Sequence, residues 1–281
     1  MKIIRLGNTE THLLFAYFMV THTDAENYIK QYFHDQFIDA AKWLYTCCGY
    51  YDKNISLNFP EAAYNPNFIK YVNDLEIVVE NCYETQFYFQ PEPYSIFKKY
   101  QYDFYLKYFI KNFKLLNETR FCDRIHSIYN FIKNKNVLVI SSFDGLIMQQ
   151  YNSNNVYKIY PDFPILKSLK TIKFPYCFNN NGPHNNYFET LEYIFSLIKN
   201  TEFDIAILSC GSYGHMLTHR IDLELNKDAI YIGGNIQEMF GILCKREKDA
   251  GFIKPNEYWI TTIPEEYIPS DYKTIEDGCY W

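Results

Sequence analysis

Apolar and polar positions change their period along this chain, and the changes mark its parts. From Asp24 to Lys135 apolar residues recur mostly every third or fourth position, as in AENYIKQYFHDQFIDAAKWLYTCC and QYDFYLKYFIKNFKLL, a spacing that predicts helices. Asn58-Phe59-Pro60 and Gln90-Pro91-Glu92-Pro93 read as loops within that region. From Lys135 onward short runs rich in β-branched residues alternate with helical spacing. VLVISSF (Val137–Phe143) is followed by DGLIMQQYN from Asp144, and TIKF (Thr171–Phe174) by YFETLEYIFSLIKN (Tyr187–Asn200). Two further units follow, FDIAILSCGSYGHMLTHRI (Phe203–Ile221) and AIYIGGNIQEMFGIL (Ala229–Leu243). The alternation predicts parallel strands joined by helical crossovers. At the other end, KIIRLGNTE reads as a strand entering a turn, with a helix from about Thr11 to Met19 capped by Asn8 or Thr9. The segment from Gly251 has scattered proline and little periodicity, and is expected to wrap the surface. The expected fold is one α/β domain over residues 1–281, with a Rossmann-like, mostly parallel sheet flanked by helices. Residues 24–135 form a largely helical insertion or subdomain within it.

The last two units carry glycines directly after their strands: Gly211 and Gly214, then Gly233 and Gly234. In α/β folds the ligand crevice lies beyond the carboxyl ends of parallel strands, where free N–H groups and helix N-termini favour an anion. The rule selects Ser141, Ser142 and Asp144, the run Cys210-Gly211-Ser212-Tyr213-Gly214, and Gly233 to Gln237, with Gly234 among them. It adds Gly7 to Glu10 if the N-terminal strand joins the same sheet. Asp204 stands at the amino end of its strand and reads as structural. Asp144 reads equally as a helix-start residue that complements the helix dipole. Glu238, next to Gln237, is expected to face solvent. His215 and His219 have a spacing that can bind a metal, but no Glu or Cys stands near them in motif, so they read as a polar helix face. Glycine turns alone suit a dinucleotide enzyme, a methyltransferase or a sugar-nucleotide transferase.

Composition narrows this further. A net charge of -6 and a pI near 5.7 provide no basic field for nucleic acid. The 28 Tyr and 23 Phe read first as the coding bias of an AT-rich genome, viral, protist or bacterial, rather than as sugar-stacking platforms. Eight cysteines without a CxxC or a zinc-spaced Cys/His pair read as reduced, buried thiols. The apolar stretch Leu13–Val20 is too short to span a bilayer. A soluble, cytoplasmic protein is expected.

Four blocks together resemble a known family: RLGNTE (Arg5–Glu10), VLVISSFDGLIMQQY (Val137–Tyr151), the paired glycine units, and the terminal NEYW and EDGCYW. The family comprises glycosyltransferase-like proteins of polysaccharide assembly in bacteria, some algae and large viruses, which resemble GT-D-fold glycosyltransferases. The resemblance implies transfer of a sugar from a nucleotide-activated donor to a glycan acceptor. GT-D enzymes carry an R-F-G-D-G-E type motif whose Asp and Glu are associated with a divalent metal and the donor diphosphate. Arg5, Gly7 and Glu10 match it here, whereas Asn8 replaces the Asp and Thr9 the second Gly. The resemblance therefore makes Glu10 and Asn8 the metal positions for Mg²⁺ or Mn²⁺, although Asn removes a charge that a hard cation prefers. Arg246 keeps a cation where the family's G-x-G-x-R-W element is otherwise altered. The donor-binding set this implies is Arg5, Gly7, Asn8, Ser142, Gly211 to Gly214, Gly233, Gly234, Gln237 and Arg246. N–H groups of the two glycine turns would hold the diphosphate, and Asp144 or Glu10 would serve as base. The rival expectation is a degenerate nucleotide-sugar-binding or scaffold protein, for which Asn8 is the warning.

Overall fold

A computed structural model describes residues 1–82, 84–87, 98–108, 113–115, 121–251 and 253–281. The described residues form a sheet of β1 (Lys2–Leu6), β2 (Glu84–Phe87), β3 (Phe113–Leu115), β4 (Asn136–Ser141), β5 (Ser168–Lys173), β6 (Ile205–Ser209) and β7 (Asp228–Tyr231). Their order is β3-β2-β1-β7-β6-β4-β5, and every neighbouring pair is parallel. The helices are α1 (Asn8–Thr21), α2 (Asn27–Thr46), α3 (Pro66–Glu80), α4 (Lys98–Tyr108), α5 (Phe121–Ile132), α6 (Asp144–Asn152), α7 (Asn155–Ile159), α8 (Tyr187–Lys199), α9 (Tyr213–Leu225), α10 (Asn235–Met239) and α11 (Lys245–Ala250). This is a Rossmann-like α/β fold.

The period-two geometry of strands sorts the side chains into two cores. Ile4, Leu6, Leu138, Ile140, Ala206, Leu208 and Ala229 point to one face, against α1, α2, α3, α4, α8 and α9. Ile3, Val137, Val139, Ile205, Ile207 and Ile230 point to the other, against α5, α6, α7 and α10. Covered on both sides, the central strands need apolar residues at every position, hence VLVI in β4 and IAIL in β6. Each fully buried Ile or Leu contributes about 1.5–3 kcal/mol relative to exposure. β5 is an edge, so only Leu169 and Ile172 of its residues are buried, one on each face, and the exposed Lys170 and Lys173 keep the strand charged.

α1 is buried nearly all round, between the sheet and α2 and α4, with Phe15 packed edge-on to Phe33 at 5.2 Å. It begins at Asn8 with Gly7 as N-cap, earlier than the expected Thr11, so Asn8, Thr9 and Glu10 form its first turn. Residues 24–135 supply the expected helices and also β2 and β3, which extend the sheet beyond β1. The apparently continuous helical pattern of QYDFYLKYFIKNFKLL is divided: α4 ends at Tyr108, and Phe113–Leu115 is a strand. The loop expected at Gln90–Pro93 lies outside the described residues.

Candidate functional site

The strands set the site by where their successors go. After β1 and β6 the chain turns to the face carrying α1 and α9, and after β4 and β7 to the face carrying α6 and α10. Spatial neighbours β1, β7, β6 and β4 therefore send their helices to alternating faces, and the chain parts at their carboxyl ends. A crevice of about 440 Å³ opens there. It is lined by residues following β1 (Gly7 to Glu10), β4 (Ser142, Phe143), β5 (Phe174 to Phe178), β6 (Cys210, Gly211) and β7 (Gly233, Gly234). This is the location the crevice rule prescribes.

Two arginines meet the Gly233–Gly234 turn. Gly233 has φ +61°, and a Cβ there would lie 2.7 Å from Arg5 Nη1. A Cβ on Gly234 would lie 3.3 Å from Arg246 Nη2 and from the Tyr280 ring. The missing side chains thus let both guanidiniums approach the turn. Arg246 Nε and Nη2 donate to Glu247 Oε1 at 2.9 and 2.8 Å, and the guanidinium lies 5.5 Å from the Tyr280 ring centroid. Burial pulls the Arg246 pKa down, but the Glu247 charge and hydrogen bonds outweigh it and hold it above the usual value. Gln237 Nε2 donates to Tyr280 O at 2.7 Å. Asn8 is exposed at the crevice mouth, whereas Glu10 is buried and turned back, with Oε2 only 2.6 Å from where a Gly7 Cβ would stand.

Several sequence-based expectations are corrected here. Three of the four N–H groups in the run after β6 are taken within the protein: Ser212 N–H donates to Cys48 O at 2.9 Å, Tyr213 N–H to Cys210 O and Gly214 N–H to Gly211 O. Only Gly211 of that run lines the crevice, and Ser212, Tyr213 and Gly214 are buried. Gly214 instead makes room for the Tyr231 ring, which a Cβ would meet at 2.1 Å. Asp144 is not a lining residue; it opens α6 half-buried near Tyr267, whose pKa is raised first by burial and then by the Asp144 charge. Glu238 is buried rather than solvent-facing. His215 and His219 form no solvated face. His215 is fully buried and donates from Nε2 to Arg5 O at 2.9 Å, and half-buried His219 accepts from Lys2 Nζ at 2.8 Å. Both pin α9 to β1. Asp204 accepts from Asn136 N–H and Nδ2 at the amino end of the strands, a structural role as expected.

The sequence reading missed two walls. One comes from the end of α2, where Trp43, Cys47, Cys48 and Gly49 line the crevice and Cys48 O holds the Gly211 turn. The signal was a helix ending in CCG, with Gly49 at φ +87°. The other wall is the C-terminal segment. Ile275, Glu276, Tyr280 and Trp281 line the crevice, so the segment closes the site instead of only wrapping the surface. Trp281 Nε1 donates to Tyr267 O at 2.9 Å, and the indole packs 5.7 Å from Tyr176 and 6.0 Å from Phe178. Glu276 is presented by a turn in which Glu276, Asp277 and Gly278 all have positive φ, an unusual run for non-glycine residues. The EDG-aromatic ending was its signal.

Cys47, Cys48, Cys82, Cys177, Cys210, Cys244 and Cys279 are free thiols. Burial pushes Cys177 up to about 12 and holds Cys48 and Cys210 well above the ordinary thiol value, so the crevice thiols remain protonated and poorly nucleophilic at neutral pH. A divalent cation does not fit the donor set well. Mg²⁺ or Mn²⁺ prefers several oxygen ligands with carboxylates among them, yet Glu10 is folded over Gly7 and Asn8 is an exposed amide. No three His, Cys, Asp or Glu side chains converge to hold an ion among the described residues. Among them, too, no helix is long and apolar enough to cross a membrane.

The chain matches no protein-family model, and neither a curated protein nor a solved structure shows significant similarity to it.

Proposed function

We propose that this chain is a glycosyltransferase that moves a sugar from a nucleotide-activated donor to a glycan acceptor, as its resemblance to GT-D-like proteins implies. One observation carries the reading. Arg5, Asn8 and Glu10 from one end of the sequence share a single crevice with Gly233, Gly234, Gln237 and Arg246 from the other. The crevice volume of about 440 Å³ suits a ligand of nucleotide-sugar size. In the proposed reaction an acceptor hydroxyl oxygen attacks the anomeric carbon, the bond from that carbon to the diphosphate oxygen breaks, and the diphosphate departs. Arg5, Arg246 and the Gly233–Gly234 turn offset the charge that develops on the leaving group. A carboxylate takes the acceptor proton if the reaction inverts. Glu276 and Glu10 are the lining carboxylates for that role, and Asp144 is too withdrawn to be first choice. No step is assigned to a cation. The free thiols suit a reducing compartment, and we assign the activity to the cytoplasm.

The second reading, a nucleotide-sugar-binding or scaffold protein, is favoured by the inward fold of Glu10 and by Asn8. A panel of UDP-, GDP- and dTDP-sugars separates the two when thermal shift and hydrolysis are measured in parallel. The transferase reading expects one donor to raise Tm and to be slowly hydrolysed, with hydrolysis lost and the shift retained in Glu276→Gln or Glu10→Gln. A shift with no hydrolysis or transfer under any condition supports the binding protein. No shift with any sugar nucleotide, but one with S-adenosylmethionine, overturns both.

A further inference from the structure

We propose that the parting between β1 and β7 is a seat for a diphosphate group held by two guanidiniums, with no divalent cation required. The inference rests on the nucleotide-sugar reading for the identity of its ligand, and it concerns how the anion is neutralised. β1 and β7 are parallel neighbours, with Ile3 opposite Ile230, and their chains leave toward opposite faces of the sheet. Arg5 stands one residue before the end of β1, and Gly233 and Gly234 follow β7 closely. Arg246 reaches the same turn from α11. A Cβ at Gly233 would lie 2.7 Å from Arg5 Nη1 and displace that guanidinium, whereas one at Gly234, 3.3 Å from Arg246 Nη2, would only press on its neighbour. Gly233 above all therefore leaves room for a guanidinium against the turn, with that of Arg246 beside Gly234.

The remaining contacts prepare Arg246 for an anion. Glu247 Oε1 takes Nε and Nη2, and the Tyr280 ring lies beside the guanidinium plane. Nη1 has no hydrogen-bond partner among the described residues. The side chain is about one-third exposed, at 36%. Its direction is thus set by Glu247 on the Nε/Nη2 edge, while Nη1 stays available to donate a charge-assisted hydrogen bond to a phosphate oxygen. The Arg246 charge is shared with Glu247, so the seat offers directed N–H donors from two guanidiniums rather than the full charge of one Mg²⁺ or Mn²⁺. The residues that would hold such an ion are poorly suited to it: Asn8 is neutral and exposed, and Glu10 is turned over Gly7. The chain has arginines where a cation would otherwise compensate the diphosphate.

The test is binding of inorganic pyrophosphate, UDP and GDP to the full chain by calorimetry and thermal shift, each in EDTA and in Mn²⁺. The expected result is binding in EDTA that Mn²⁺ changes by less than about threefold, weakened about tenfold or more in Arg246→Ala. Arg246→Lys keeps the charge but not the fork, and is expected to recover only part of the loss. It also controls for misfolding, because its circular dichroism and Tm should stay near those of the parent. Binding that vanishes in EDTA and returns with Mn²⁺ overturns the seat, and so does equal binding by the parent and Arg246→Ala. The transferase reading fails separately: pyrophosphate bound without a cation, with no sugar nucleotide turned over, keeps the seat and removes the enzyme. Turnover that needs Mn²⁺ keeps the enzyme and removes the seat.

Discussion

Gly233 and Gly251 have nearly the same left-handed backbone, φ +61° and +67°, in opposite surroundings. A Cβ at Gly233 meets Arg5 Nη1 at 2.7 Å, while one at Gly251 meets nothing within 4 Å. Both Gly→Ala changes should cost about 1 kcal/mol or more of stability from the backbone alone, measured by urea unfolding. Only Gly233→Ala should also weaken pyrophosphate binding, because it alone displaces a guanidinium. Equal binding in the two variants would mean that the turn does not form part of the anion seat. The carboxylates separate in the same way. Glu276 lines the crevice and Asp144 does not. Glu276→Gln is expected to lower turnover about a hundredfold with little change in donor affinity, the usual cost of losing a general base. Asp144→Asn should leave turnover within about threefold, since its charge reaches the site only through neighbouring side chains. A larger loss in Asp144→Asn than in Glu276→Gln reverses the assignment.

α9 shows how an element can support the site without entering it. Through His215 it holds the Arg5 carbonyl, and through His219 it meets Lys2, so the helix fixes the strand that delivers Arg5. Burial lowers the His215 pKa below 6.5 against the opposing pull of Glu10, and burial with the Lys2 charge lowers that of His219. In both cases the unfolded chain takes up a proton at a pH where the folded chain does not. The stability these groups confer is complete above their unfolded value and falls as pH drops below 6.5 toward the folded values. His215→Gln keeps a donor for Arg5 O, and should flatten the decline of Tm below about pH 6.5 while leaving Tm at pH 8 nearly unchanged. An unchanged slope would place the titration elsewhere.

Elements of this kind were legible in the sequence where length and chemistry agreed. β4 and β6 are runs of Val, Ile and Leu because both faces are covered, and α8 shows a clear amphipathic period with an Asn186 cap that accepts from Glu189 N–H. β2 and β3 were not legible, since strands of four and three residues inside a helical pattern leave no period to read. The two glycine units pointed to the carboxyl ends of β6 and β7, where the crevice opens, but not to the use of the Ser212 N–H by Cys48 O. That bond joins residues far apart in the chain, and local pattern carries no trace of it.

At the scale of the whole molecule, the C-terminal segment joins the two halves of the crevice. Backbone N–H groups of Lys245 and Arg246 donate to Trp281 O and Cys279 O, and Gln237 donates to Tyr280 O, which ties the segment to the anion side. On the other side Asn179 Nδ2 donates to Thr274 Oγ1 and Asn181 Nδ2 to Asp271, which ties it to the loop after β5. Trp281 lies between these attachments, against Tyr176, Phe178 and Tyr280. The segment has neither strand nor long helix, so its position depends on these contacts, and a segment so held is expected to open at lower free energy than the sheet. Trp281→Ala removes the central contact and the Nε1 hydrogen bond to Tyr267 O. Because the indole is only partly buried, the loss should be about 1–3 kcal/mol, below that of a fully buried Trp. The sharper expectation concerns location. Hydrogen exchange in Trp281→Ala should accelerate over residues 271–281 and the Gly233–Gly234 turn while β4 and β6 keep their protection, and pyrophosphate should restore protection in the parent more than in the variant. Uniform acceleration across the sheet would mean that the segment is part of the global core and not a separately held wall of the crevice.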